Sequence, residues 1–251
     1  MTTTIRRWDE PALVGHLAGR PAAIVAPGPS FDLFDKNALA VGPIVALNAA
    51  ITECWRNPSA VWACHDIHKI WRDRFEDRLA GYAGWQLLTR RVALPGKLGD
   101  GPYRAVGGGV EPGPFAPRLS AFRLARARDV RWYSELESQG GYLKATETVL
   151  EIALEALTLW GASPIVLVGV DLSPVDGQSY GRPWRWKRCQ IKGDKFAAMR
   201  RALDAGRKRW PKDVVVAGAG WKGMPFGRVT PEEGAAILAS GQLSASAEKN
   251  C

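Results

Sequence analysis

Runs of apolar residues without polar alternation recur along the chain and predict buried strands. Continuous runs rich in Val, Ile and Leu are typical of parallel strands that are covered on both faces. The sequence therefore predicts a parallel sheet. Its expected strands cover residues 21–27, 42–48, 59–66, 84–89, 163–173 and 213–218.

Segments with helical spacing lie between these strands. Residues 146–161 place Glu147, Glu151 and Glu155 on one polar stripe, with apolar residues on the opposite side. This alternation predicts an α/β fold: a Rossmann-like, open, mostly parallel sheet flanked by helices. The other segments with helical character are 30–40, 67–81 and 194–210.

A stretch rich in Gly and Pro interrupts the alternation between residues 95 and 120. Such stretches are typical of long functional loops. We therefore expect a single domain over residues 1–238, with an insertion or lid at 95–140, and a flexible tail over 239–251. The sequence has neither an apolar run of about 20 residues nor a signal-peptide pattern, which favours a cytoplasmic protein.

The charge balance favours partners that carry phosphate. The chain has 34 Lys and Arg residues against 25 Asp and Glu residues, a formal net charge of +9. Such a charge suits a nucleotide or a polynucleotide, although a surface adapted for solubility accounts for it equally well. The four cysteines match no zinc or redox motif, and scattered thiols suit a reducing compartment.

Four of the predicted strands end on polar or flexible residues. Ligands of open parallel sheets bind outside the carboxyl ends of the strands, so we expect these residues to gather at one site. They are Gly28-Pro29-Ser30, Asn48, His65-Asp66 and Asp171.

The Gly28-Pro29-Ser30 turn suits a close approach to a ligand. Gly28 lets the backbone approach a ligand closely, and the Ser30 hydroxyl can bind a phosphate or cap a helix. An ordinary strand-to-helix turn accounts for the same residues. The stretch contains neither GxGxxG nor a P-loop, so it indicates neither a standard dinucleotide site nor a Walker ATPase.

His65, Asp66 and Asp171 are the candidate catalytic residues. An imidazole suits removal of a proton from a hydroxyl, and a carboxylate that ends a buried strand is costly unless it is paired, metal-bound or facing a cleft. A packed His65 and a turn-capping Asp171 are the structural alternatives. His65 and His68 lack a third ligand nearby in the sequence, so we assign no metal site.

Basic and aromatic residues are interleaved in the segment 180–195. Cationic side chains neutralise phosphates and aromatic faces stack on bases, although tryptophans folded onto the core are the alternative. We therefore expect this segment to line the part of the binding site that holds the phosphate or the acceptor. Its residues are Arg182, Trp184, Arg185, Trp186, Lys187, Arg188 and Lys192.

The ordered set IVAPGPSFDLFD, VALNAA and TETVLEIALEALTLWGASPIVLVGVDLS resembles the Gly-Pro-Ser family. That family joins bacterial lipooligosaccharide sialyltransferases with 6-hydroxymethylpterin diphosphokinase-like proteins and phage-encoded relatives. The resemblance covers about half of the chain and implies a nucleotide pocket. It implies that Gly28, Pro29 and Ser30 line the phosphate or ribose, that Asn48 contacts the nucleotide, and that Gly169 and Asp171 close the pocket near Thr146 and Thr148.

The chain departs from the family pattern at two places. Pro27 stands where Gly or Asn often precedes Gly-Pro-Ser, which removes an expected polar contact. Residues 174–210 contain no histidine, whereas the sialyltransferases have a histidine general base after the Gly-x-Asp strand. The resemblance therefore implies either an altered mechanism or a lost activity.

Three functions stay open. The strand-end residues favour a nucleotide-donor group transferase, specifically a glycosyltransferase that uses a nucleotide-sugar and a hydroxyl acceptor in a glycan or in a hydroxymethylated base of DNA. The second is a diphosphokinase that acts on a hydroxymethyl group, with Mg²⁺ held by Asp66 and Asp171. The third is a non-enzymatic protein that binds nucleic acid. A phage-encoded chain would work in the host cytoplasm.

Overall fold

The structure is a computed structural model that describes residues 6–7, 14–64, 85–89, 103–106, 109–112, 118–125, 142–144, 148–184, 193–218 and 224–240. Within these ranges the strands are β1 (Arg6–Arg7), β2 (Ala22–Val25), β3 (Ile44–Leu47), β4 (Ala60–Cys64), β5 (Trp85–Thr89), β6 (Tyr103–Val106), β7 (Gly109–Pro112), β8 (Arg118–Ala125), β9 (Tyr142–Lys144), β10 (Ile165–Val168), β11 (Val214–Ala217) and β12 (Gly227–Val229). The α-helices are α1 (Ile51–Cys54), α2 (Val149–Leu159), α3 (Gly193–Gly206) and α4 (Pro231–Ser240).

Ten strands form one sheet in the order β1-β8-β5-β4-β3-β2-β10-β11-β12, with β9 beside β8. Every pair in this sheet is parallel. From β2 the chain moves outward through β3 and β4, returns to the middle at β10, and moves out in the other direction through β11 and β12. The strand order therefore reverses between β2 and β10. In Rossmann-like sheets this reversal is where ligands bind.

Both faces of the central sheet are covered. On β2, Ala23 and Val25 belong to the core that includes α1 and α4, whereas Ala22 and Ile24 belong to the core that includes α2 and α3. All four side chains are fully buried. Successive strand residues point to opposite faces, so burial on both faces explains why the central strands are continuous apolar runs in the sequence.

The predicted α/β fold is confirmed. The strands predicted at 21–27, 42–48, 163–173 and 213–218 correspond to β2, β3, β10 and β11, and the helix predicted at 146–161 corresponds to α2. Thr148 caps α2: its hydroxyl accepts from the N–H of Leu150 at 3.2 Å, and the Glu151 carboxylate accepts from the Thr148 N–H at 3.1 Å. This reciprocal pair is a capping box.

Two of the three glutamates of the polar stripe predicted for α2 are buried in the structure, and Glu147 lies outside the described residues. Glu151 is 0% exposed and Glu155 is 8% exposed. Arg209 faces both: its Nη2 lies 3.7 Å from Glu151 Oε1, and its Nη1 donates to Glu155 Oε1. Helical spacing identifies a polar stripe but does not distinguish a solvated stripe from one covered by a cation of a distant segment.

Several described elements were absent from the sequence prediction. The segment expected as a loop or lid contains β6, β7 and β8, and β8 lies in the main sheet between β5 and β1. The strand at 213–218 is not the last one, because β12 pairs with β11 and is followed by α4. The shortest of these elements, such as the three residues of β12, carry too few residues for a clear period.

One predicted helical segment and one predicted boundary differ in detail. Residues 30–40 form two short 3₁₀ helices, Pro29–Leu33 and Lys36–Leu39, rather than one longer helix. At the other end of the chain, α4 continues to Ser240 and so passes the expected start of the tail at residue 239. In the part of the chain that the structure describes, no helix is long and apolar enough to cross a membrane.

Candidate functional site

The ends of β2 and β10 come into direct backbone contact at the point where the strand order reverses. The N–H of Gly28 donates to the carbonyl oxygen of Gly169 at 2.9 Å. A Cβ on Gly28 would overlap that oxygen and Oδ2 of Asp171, and a Cβ on Gly169 would overlap the carbonyl oxygen of Ala26. The close approach of the two strand ends therefore requires glycine on both sides.

Asp171 joins the two strand ends below this contact. Its side chain is 3% exposed, and its Oδ2 accepts from the backbone N–H of Ser30 at 2.9 Å. Among the described residues, Oδ1 of Asp171 and Oγ of Ser30 are both buried without a hydrogen-bond partner. We call Gly28, Ser30, Gly169 and Asp171 the β2–β10 site.

The surroundings of Asp171 oppose its ionisation. Burial raises the pKa of this carboxyl above its ordinary value of 3.8, and the charge of the Asp32 carboxylate raises it further. The N–H and the hydroxyl of Ser30 lower the pKa. The hydroxyl acts from nearby rather than through a hydrogen bond of good geometry, since Ser30 Oγ has no such partner in the described part of the chain.

Asn48 follows the neighbouring strand β3 and is held in a left-handed conformation, with a φ of 50°. The indole N–H of Trp62 donates to its carbonyl oxygen at 2.8 Å, which fixes the backbone at this strand end. Its side-chain amide makes no hydrogen bond to another described residue. The amide is therefore available to a ligand at the carboxyl edge of the sheet.

Left-handed backbone recurs along this edge of the sheet. Besides Asn48, the residues with positive φ are Gly169 (68°) and Leu172 (48°) after β10 and Gly218 (124°) after β11. A leucine in this region is strained, because its Cβ crowds the following carbonyl. Strained conformations cluster at functional sites, so the carboxyl edge has the backbone character of a ligand site.

Trp184 occupies the core rather than the ligand wall for which it was predicted. The side chain is 0% exposed, and its ring packs on Phe31 with the ring centroids 4.7 Å apart. Its indole N–H donates to the carbonyl oxygen of Ala49 at 2.9 Å. Trp184 thus connects the segment after β10 to the turns that follow β2 and β3, and its ring has no free face on which a base could stack.

Arg182 is exposed, as a phosphate-binding residue would be, with 80% of its side chain accessible. Its backbone N–H donates to both carboxylate oxygens of Asp32, at 3.0 and 2.9 Å. Asp32 was missed by the sequence analysis. An acidic residue in the first turn after Gly28-Pro29-Ser30 was the signal that could have found it.

Arg200 is a second residue that the sequence analysis missed. It lies on α3, and its Nη1 donates to the carbonyl oxygen of Leu172 at 2.9 Å. This bond holds the backbone of the strained residue that directly follows Asp171. Charge alone did not distinguish Arg200 from the other two cations of α3, Lys195 and Arg201.

The remaining predicted residues divide into two groups. Thr148 serves as the cap of α2, as described above. His65, Asp66, Thr146, Arg185, Trp186, Lys187, Arg188 and Lys192 lie outside the described residues. Within the described ranges, no group of three His, Cys, Asp or Glu side chains could hold a metal ion.

The fold and the β2–β10 site define the class of protein: an α/β protein with a Rossmann-like parallel sheet and a polar cluster where the strand order reverses. Compared with models of protein families, with curated proteins and with solved structures, the chain has no match.

Proposed function

We propose that the protein is a nucleotide-donor group transferase that binds its nucleotide at the carboxyl edge of the sheet, between β2 and β10. The observation that carries this proposal is the contact of the two strand ends through Gly28, Gly169 and Asp171. Rossmann-like sheets use this reversal point for nucleotides because the strand ends leave a crevice there. The strained backbone and the free amide of Asn48 support the same location.

Glycosyl transfer from a nucleotide-sugar to a hydroxyl is the reaction we favour, with a glycan or a hydroxymethylated base of DNA as acceptor. Such a transfer depends largely on positioning the reactants and on stabilising the departing phosphate. The exposed guanidinium of Arg182, which lies beside Asp32 in this turn, is a described cation that could serve this purpose. Asp171 is enclosed, so it is better suited to hold a bound group than to reach an acceptor.

Isothermal titration with nucleoside mono-, di- and triphosphates and with sugar nucleotides tests the proposal. We expect one base class to bind saturably at one site per chain. Mass spectrometry of the purified protein for a nucleotide that copurifies is an independent measurement. A folded protein that binds none of these ligands would contradict the proposal.

Asn48→Gly tests the location of the site. Glycine keeps the left-handed backbone without strain and removes only the amide, so we expect affinity for the nucleotide to fall about tenfold, as for one lost hydrogen bond. Asp176→Gly is the matched control, because Asp176 has the same φ of 50° and is exposed. Equal affinities of the two variants would place the nucleotide elsewhere.

A further inference from the structure

The backbone donors of the turn after β2 are already used within the chain. Gly28 donates to Gly169 at 2.9 Å, Ser30 to Oδ2 of Asp171 at 2.9 Å, and Phe31 to Gly28 at 3.1 Å. Pro29 has no N–H. A phosphate bound at such a turn needs free N–H groups. Residues 28–31 therefore offer a phosphate no backbone donor.

The charges next to the turn also disfavour a phosphate. The Asp171 carboxyl contacts Ser30, and the Asp32 carboxylate is near enough to raise the pKa of Asp171. Two acidic groups would thus repel a bound anion. The Arg182 guanidinium is exposed and faces Asp32, with Nε 4.0 Å from the carboxylate, so it only partly offsets this repulsion.

The β2–β10 site keeps hydrogen-bonding capacity that the described part of the chain does not use. Oδ1 of Asp171 and Oγ of Ser30 are buried, lie on residues in direct contact, and have no hydrogen-bond partner of good geometry among the described residues. Buried polar atoms are rarely left unsatisfied, because they lose their bonds to water. Gly218 packs closely against Ser30: a Cβ there would lie 2.9 Å from Cβ and 3.2 Å from Oγ of Ser30, so a side chain at this position would crowd the hydroxyl.

We infer that the part of the nucleotide that meets the β2–β10 site is the ribose, whose vicinal hydroxyls donate to Asp171 Oδ1 and Ser30 Oγ, while the phosphates lie away from the turn. Two adjacent hydroxyls match two neighbouring acceptors, and an uncharged donor avoids the repulsion that a phosphate would meet. This inference rests on the proposed function and specifies the orientation of the ligand. It makes Asp171 and Ser30 the residues that distinguish ribonucleotides from deoxynucleotides.

A ligand series on the unmodified protein tests the orientation. The nucleotide that binds in the titration is compared with its 2′-deoxy and 3′-deoxy forms, and inorganic pyrophosphate is added as a competitor. We expect each deoxy form to bind about tenfold more weakly, as for one lost hydrogen bond, and pyrophosphate not to displace the nucleotide. Equal binding of the deoxy forms would overturn the orientation and leave the proposed function standing. A protein that binds no nucleotide would overturn both.

The variant Asp171→Asn tests whether Asp171 is the residue that distinguishes ribonucleotides from deoxynucleotides. The amide keeps an oxygen for the Ser30 N–H, but its NH₂ replaces the free acceptor, so the ratio of ribonucleotide to deoxynucleotide affinity should fall towards one. Asp176→Asn, on an exposed position of the same loop, should keep the wild-type ratio. Ser30→Ala is the second variant if Asp171→Asn folds poorly. A ratio unchanged in Asp171→Asn and in Ser30→Ala would overturn the inference.

Discussion

At the Arg209 cluster, which we define as Glu151, Glu155 and Arg209, two buried carboxylates face a guanidinium. At the β2–β10 site, the buried Asp171 carboxyl faces a backbone N–H and has a free oxygen. Both regions hold acidic groups away from water, which is costly unless their charge is compensated. The cluster provides a counter-ion from the protein itself, whereas no described residue provides one for Asp171 at the site.

This difference distinguishes a structural cluster from the binding site that we propose. The two glutamates of the Arg209 cluster lie on α2, where Glu151 also completes the capping box, and Arg209 lies in a distant segment, so the cluster fastens the helix onto the rest of the fold. The β2–β10 site lies at the strand-order reversal and keeps an acceptor unpaired among the described residues. A buried carboxyl with a raised pKa and an unused oxygen marks a candidate functional site.

Arg209→Met should give the largest loss of stability. It leaves Glu151 and Glu155 without the guanidinium, and breaking a buried ion pair costs about 3 kcal/mol or more of the free energy of unfolding. Urea denaturation followed by circular dichroism measures this loss. Lys208→Met, at the exposed neighbouring position, should change the free energy by about 0.5 kcal/mol or less. If the two variants unfold alike, the cluster is not structural.

Gly28→Ala should have the next largest effect and, unlike Arg209→Met, should also abolish nucleotide binding. The added Cβ meets the backbone of Gly169 and the carboxyl of Asp171, and overpacking of this kind costs about 2 kcal/mol. The φ of Gly28 is −76°, so backbone strain adds nothing to this cost.

Gly42→Ala is the control for Gly28→Ala. Gly42 has a φ of 86° and no atom within 4 Å of an added Cβ, so the substitution tests strain without a clash and should cost about 1 kcal/mol. It should leave ligand binding intact. A Gly28→Ala variant as stable as Gly42→Ala would mean that the two strand ends are not in close contact.

The central sheet could be predicted from the sequence because burial on two faces changes composition over four or more residues at a time. β2 and β10 are entirely apolar, and the polar residues that follow them mark their ends. The same reasoning located the β2–β10 site in outline, since parallel strands bring their carboxyl ends to one edge. It did not predict that the Asp171 carboxyl would accept a hydrogen bond from the N–H of Ser30.

The parts that could not be predicted depend on contacts between distant segments. Trp184 bonds to Ala49, which is 135 positions away, and Arg182 bonds to Asp32 over 150 positions. A basic and aromatic segment has the same local pattern whether its tryptophan stacks on a ligand or packs into a core. Arg209 contacts Glu155 across 54 positions, so the local pattern of α2 could not show that its polar stripe would be covered.

The smallest and most gradual effect is the pH dependence that Asp171 gives to stability. Its pKa is raised in the folded protein, so the folded state holds this proton more tightly than the unfolded state. The stabilisation that protonated Asp171 gives the folded state is complete below pH 3.8, the ordinary pKa. It is lost as the pH rises through the raised pKa. The free energy of unfolding of the wild type minus that of Asp171→Asn should therefore decrease from about pH 4 towards neutrality.

Urea denaturation at a series of pH values measures this difference in the free energy of unfolding. The same difference between the wild type and Asp176→Asn should not change with pH. A difference that instead increases with pH would mean that Asp171 is stabilised as an ion, and the contrast between the two regions would disappear.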